Sequence, residues 1–143
     1  MTRSKTLFVS NILGTLYSIY LLWTFGGAVI KAGGLDFIDA LTEYFETAFS
    51  LLEMLGARST TLGLLYAILV LLAIHIVVFV LGCIVGWVSF AVKKPGKGAA
   101  VLYLIGTICF PLYLFFGLPI TIIAFVGSKK QKKINAEAAV QAS

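Results

Sequence analysis

The stretch "KKPGKGAAVLYLIGTICFPLYLFFGLPITIIAFVGSKKQKK", residues 93–133, opens and closes on lysines and carries no charged side chain between Lys97 and Lys129. Its apolar part, residues 99–126, is long enough for one membrane crossing and too short for two, since a spanning helix takes about 20 residues. A single crossing puts the two lysine clusters on opposite sides of a bilayer. A reversal near Pro111, or in the stretch from Gly117 to Pro119, puts them on the same side. The fold turns on which of these the chain does.

The basic residues discriminate, because lysine and arginine favour the cytoplasmic side of a membrane. The chain has 11 of them. With the N-terminus inside and three crossings, five lie inside (Arg3, Lys5, Lys93, Lys94, Lys97) and six outside. With four crossings the division is seven inside against four. With residues 99–126 turning back as a hairpin it is nine against two, leaving only Lys31 and Arg58 outside. The hairpin obeys the rule best. Its two arms are short, so their turn has to be shielded by protein.

Composition points to lipid as the solvent. The chain is 60% hydrophobic and 12% charged with mean hydropathy +1.03, where soluble domains carry about 25% charged residues. The net charge of +5 does not indicate nucleic-acid binding, because the cations flank apolar runs and suit lipid headgroups. Residues 7–30 form a first apolar run, longer than the roughly 7–15 residues of a signal peptide core. Residues 62–92 form a second, preceded by Ser59, Thr60 and Thr61 as N-cap candidates. Ser10, Gly14 and Ser18 in the first run, and Gly82 and Gly86 in the second, recur every four residues, a spacing that allows close helix packing. Trp23 is placed to mark a headgroup boundary.

Between these runs lies "GGLDFIDALTEYFETAFSLLEMLG", residues 33–56, with five of the chain's six acidic residues. At helical period Asp36, Asp39, Glu43, Glu46 and Glu53 form one stripe over residues 35–55. Phe37, Ile38, Leu41, Tyr44, Phe45, Phe49 and Leu52 occupy the opposite face. An acid at a helix centre costs about 2.5–3.5 kcal/mol to insert, so the expectation is a helix lying at the interface with its carboxylates in water.

The inventory of reactive groups is small. The single histidine, His75, sits deep in an apolar run, where an ionisable group is a functional candidate by default. With no acid within two turns, the plainer expectation is a neutral imidazole hydrogen-bonded across helices to Asn11, Thr15 or a tyrosine. Cys83 and Cys109 read as small hydrophobes. No metal, cofactor or catalytic set is expected. In layout, the lysine-flanked turn and the apolar run after it resemble small bacterial membrane proteins, which would imply a bacterial cell membrane.

The expectation is therefore an all-α integral membrane protein of one domain, residues 1–143, with its N-terminus cytoplasmic. It has two long spanning helices, an acidic amphipathic interfacial helix between them, and a Pro-containing C-terminal segment that is a re-entrant hairpin or a kinked span. A basic polar tail, residues 127–143, follows. Lys129, Lys130, Lys132 and Lys133 are expected to meet anionic headgroups. The expected function is non-enzymatic: a partner-binding or accessory subunit of a membrane complex, or an immunity-type protein that blocks a membrane-acting toxin, docking another membrane protein or a second copy through the acidic stripe. The alternative is a small homo-oligomeric cation channel or transporter lined by the same acids.

Overall fold

The structure, a computed structural model, describes residues 2–31, 39, 43, 46, 47, 50 and 58–143. It is all-helical, with four long helical rods among the described residues. The first begins with α1, Lys5–Leu21, whose N-cap Ser4 accepts from the Leu7 amide at 3.4 Å. It continues without interruption through a π-helical turn, Leu22–Gly26, into the short α2, Gly27–Lys31. The second is α3, Arg58–Ala91. It starts four residues earlier than residue 62, so Ser59 and Thr60 lie inside its first turn rather than ahead of it. A tight turn with Lys93 and Gly96 at positive φ, 58° and 69°, leads into α4, Lys97–Cys109. The backbone breaks at Phe110, makes a 3₁₀ turn over Pro111–Tyr113, and resumes as α5, Leu114–Ala142.

Each helix runs antiparallel to its neighbours. Between α1 and α3, Arg3 reaches the Ala91 carbonyl (3.4 Å), Asn11 the Gly86 carbonyl (3.0 Å) and Tyr17 the His75 ring (2.8 Å), so one number rises as the other falls. Between α3 and α4, Gly86 faces Ala99, Gly82 faces Tyr103, and Phe79 faces Gly106. Thr107 meets Gly117 and Thr121 across α4 and α5. The Ser4 amide meets Gln131 across α1 and α5 at 2.7 Å. The chain thus reverses over residues 110–113. The 13 residues of α4 rise only about 20 Å at 1.5 Å each. The reversal comes level with Tyr17 and His75: ring centroids are 6.3 Å apart for Tyr17 and Tyr113, and 5.7 Å for His75 and Phe110.

Polarity is inverted relative to a soluble bundle. Ser10, Asn11, Ser18, His75, Thr107, Thr121 and Gln131 are buried beside Tyr17, Leu21, Phe79, Tyr103 and Ile120. Ile74, Val77, Leu81, Ile84, Val88, Ile108 and Ile122 face outward. An apolar exterior of this extent matches lipid. Three helices, Lys5–Gly26, Val70–Ala91 and Pro111–Ala142, are long and apolar enough to cross a membrane. This is a multi-pass membrane protein.

The segment at 127–143 is not a loose tail. Helix α5 runs on to Ala142, because its Ala, Lys, Glu and Gln residues are strong helix formers. Lys133 and Glu137 add an i,i+4 pair at 3.8 Å.

Close packing makes the glycines unequal. A methyl group at Gly82 would sit 2.8 Å from Tyr103 Cε1, whereas one at Gly63 meets nothing within 4 Å. Gly82→Ala should destabilise the fold by about 1–3 kcal/mol through overpacking. Gly63→Ala should be neutral or stabilising by up to about 1 kcal/mol. Thermal unfolding in detergent compares them directly.

Candidate functional site

The centre of the bundle is organised by His75, which is fully buried. Its Nδ1 lies 2.6 Å from the Gly106 carbonyl and its Nε2 lies 2.8 Å from the Tyr17 hydroxyl. A carbonyl only accepts, so Nδ1 carries the proton and Nε2 accepts from Tyr17. Both nitrogens of a neutral imidazole are satisfied, and α1, α3 and α4 are tied at one level.

Gly106 is not an arbitrary acceptor. Helix α4 ends three residues later, at Cys109, and the last four carbonyls of a helix have no intrahelical partner. The Gly106 carbonyl also receives the Phe110 amide at 3.2 Å, so His75 adds a second donor at the broken helix end. Around the imidazole stand Phe79 (4.8 Å between centroids), Phe110 (5.7 Å), Tyr17 (5.8 Å) and Tyr113 (6.0 Å). Tyrosine was one of the partners open to His75 from sequence. The carbonyl was not, because backbone acceptors leave no mark in composition.

A second polar belt lies toward the lysine-rich end. Trp87 donates from Nε1 to Thr15 Oγ1 at 2.8 Å, Thr15 donates to the Asn11 carbonyl at 2.7 Å, and the Cys83 sulfur lies 3.1 Å from the same hydroxyl. Ser10, Gly14 and Ser18 fall on the buried face of α1. Gly14 abuts the Tyr103 side chain, and Gly86 lies against Asn11 and Ala99. Ser18 Oγ, Asn11 Oδ1 and Tyr103 OH are buried without a protein hydrogen-bond partner among the described residues.

At the end of the bundle the basic residues converge. Gln131 is buried. Its side chain accepts from the Ser4 amide at 2.7 Å and donates to Asn135 at 2.9 Å and to the Thr2 carbonyl at 3.3 Å. Asn135 in turn donates to the Lys93 carbonyl at 2.9 Å. This network joins the N-terminal segment, the 93–96 turn and α5. Nine of the chain's 11 Lys and Arg residues therefore sit at one end. Lys129, Lys130, Lys132 and Lys133 are exposed there. Gln131 and Asn135 do not stand out in the sequence, because they sit among lysines in a basic polar segment. Their i,i+4 spacing on a helix was the available signal.

Of the acidic stripe, Asp39, Glu43 and Glu46 are helical and exposed. Thr47 donates to the Glu43 carbonyl at 2.9 Å. Asp36 and Glu53 lie outside the described residues, as does most of the 35–55 segment expected to form an interfacial helix. The described acids are exposed and His75 is buried, so the structure does not bring them together. Among the described residues no group of three metal-ligating side chains converges. No protein-family model matches the chain, and neither curated proteins nor solved structures show a match.

The His75 cluster makes a quantitative prediction. Tyr17→Phe removes one hydrogen bond and leaves Nε2 unpaired, a loss of about 1 kcal/mol. His75→Ala also opens a cavity and removes the second donor to the Gly106 carbonyl, a loss of about 2–4 kcal/mol. The double variant should lose less than the sum, since the two residues share one bond. Reversible unfolding of the four proteins in detergent checks the cycle.

Proposed function

We propose that this protein is a non-enzymatic accessory or partner-binding component of a membrane complex, with an acidic helical stripe as its docking element. The supporting observation is the exposure of Asp39, Glu43 and Glu46 on helical backbone at spacings of 4 and 3, while the one histidine is engaged on both ring nitrogens inside the bundle. Chemistry needs reactive groups facing a common space. Among the described residues, His75, Asn11, Thr107 and Gln131 make polar contacts across helices, and the exposed acids lie on the surface. Asp36 and Glu53 extend the same stripe by period. An immunity-type role, capping a membrane-acting toxin, fits the same surface.

In this proposal the basic end faces the cytoplasm, in a bacterial cell membrane, and α4 with the apolar half of α5 enters the bilayer as a re-entrant pair. The tip then sits about 18 Å above Lys5 at 1.5 Å per residue, near the middle of a roughly 30 Å hydrocarbon core. The acidic stripe lies at the outer surface. Lys129, Lys130, Lys132 and Lys133 meet the anionic inner leaflet.

A photocrosslinking amino acid at Glu43 or Glu46, in the intact protein in its membrane, should capture one discrete polypeptide. Replacing the remaining stripe acids with Gln or Asn should abolish the capture. Equal capture by the substituted protein contradicts the proposal. The channel alternative has its own readout: cation flux through the purified protein in liposomes, lost on the same substitutions, would replace docking with conduction.

A further inference from the structure

Two hollows lie on the same seam, between α1 and α5. One, of about 380 Å³, is lined by Arg3, Lys5, Thr6, Lys130, Lys133 and Glu137 among others. Four cations face one carboxylate there. Lys130 Nζ donates to Thr6 Oγ1 at 3.1 Å, and the Arg3 guanidinium packs 5.1 Å over the Phe90 ring at the edge. The other, of about 410 Å³, is almost wholly apolar, lined by Leu13, Leu16, Tyr20, Phe115, Phe116 and Pro119 with Tyr17 and Ile120 at its floor.

The two are collinear. On α1, residues 6, 9, 13, 16 and 20 recur every three or four positions. On α5, residues 116, 119, 123, 126, 130, 133 and 137 do the same. Each set occupies one helix face. Val9 and Val126, both exposed, lie between the hollows. Thr6 and Leu16 are separated by about 15 Å along the helix, as are Lys130 and Ile120. That is about half the thickness of a bilayer's hydrocarbon core, the reach of one leaflet.

We infer that the α1–α5 seam binds one anionic phospholipid of the inner leaflet, its phosphate among Lys5, Lys130 and Lys133 and an acyl chain in the groove at Leu16 and Phe116. A charged hollow alone would accept any anion, and a groove alone any lipid tail. Their alignment at leaflet spacing selects a molecule that carries both. Lys129 and Lys132 do not line the basic hollow, and Lys132 lies well around α5 from Lys130 and Lys133 by the same period; neither takes part. This sharpens the general expectation for the lysine-rich segment, and it does not depend on what the acidic stripe binds.

The test uses intact protein in phosphatidylcholine vesicles with a trace of phosphatidylglycerol bearing a photoreactive acyl chain. Crosslinks should concentrate at Leu13, Leu16, Tyr20, Phe115 and Phe116. Unlabelled phosphatidylglycerol should displace the probe and inorganic phosphate should not. The K130Q/K133Q variant should weaken labelling about 30-fold, at roughly fivefold per lysine. The K129Q/K132Q variant removes the same charge and should weaken it less than about fivefold. Leu16→Trp, at an exposed position, fills the groove and should reduce crosslinking with the basic hollow intact. Equal loss in both lysine variants, equal labelling by a phosphatidylcholine probe, or displacement by phosphate each overturns the inference.

Discussion

A helix that ends inside an apolar medium exposes carbonyl groups that neither its own backbone nor the solvent can satisfy. Helix α4 ends at the level of the bundle's centre, where its Gly106 carbonyl accepts from the Phe110 amide and, as a second donor, from the His75 imidazole. The donor is one helix away, on α3. Its orientation is held by a tyrosine on a third helix, and the ring is enclosed by aromatic faces. The reversal over 110–113 is thereby tied to α1 and α3 rather than left as a free loop. Much of the architecture follows from it. Because the chain turns back there, α5 descends beside α1, and its lysines return to the end from which α4 set out.

That return brings like charges together, and the structure separates them with a neutral buried network. Gln131 and Asn135 hold the N-terminal segment, the 93–96 turn and α5 in register, while the lysines around them project outward. Small residues serve the other end of the same problem. Gly82, Gly86 and Gly106 on α3 and α4, and Gly14 on α1, let tyrosine, asparagine and phenylalanine side chains fill the space between the rods. Polar contacts face inward and branched aliphatics outward, as expected where the surrounding medium is hydrocarbon.

Much of this was legible in the sequence. The membrane class follows from charge content and run length. Counting cations under the three arrangements favours a reversal of residues 99–126, since only that one gathers nine of 11 on one side, but it leaves a kinked span open; the break at 110–113 decides for the reversal. The four-residue periods of Ser10, Gly14 and Ser18, and of Gly82 and Gly86, mark faces that the structure places at helix contacts. What did not show was set by tertiary geometry. No period links His75 to a carbonyl 31 residues away. Gln131 and Asn135 looked solvated because their lysine neighbours are. Polarity alone marks 127–143 as a basic tail, while its composition favours the helix that runs on to Ala142. The acidic stripe is helical and exposed at Asp39, Glu43 and Glu46, and its role rests on the proposal made for it.

The proposed arrangement requires the chain to turn back at 110–113 within the bilayer. Single cysteines at Lys94 and at Ser143, in a background with Cys83 and Cys109 replaced by serine, can be probed with a membrane-impermeant thiol reagent in intact cells and in inverted vesicles. Both positions should label from the same, cytoplasmic side. Labelling from opposite sides would mean that residues 99–126 cross the membrane once, and the histidine-capped reversal would not exist in the membrane.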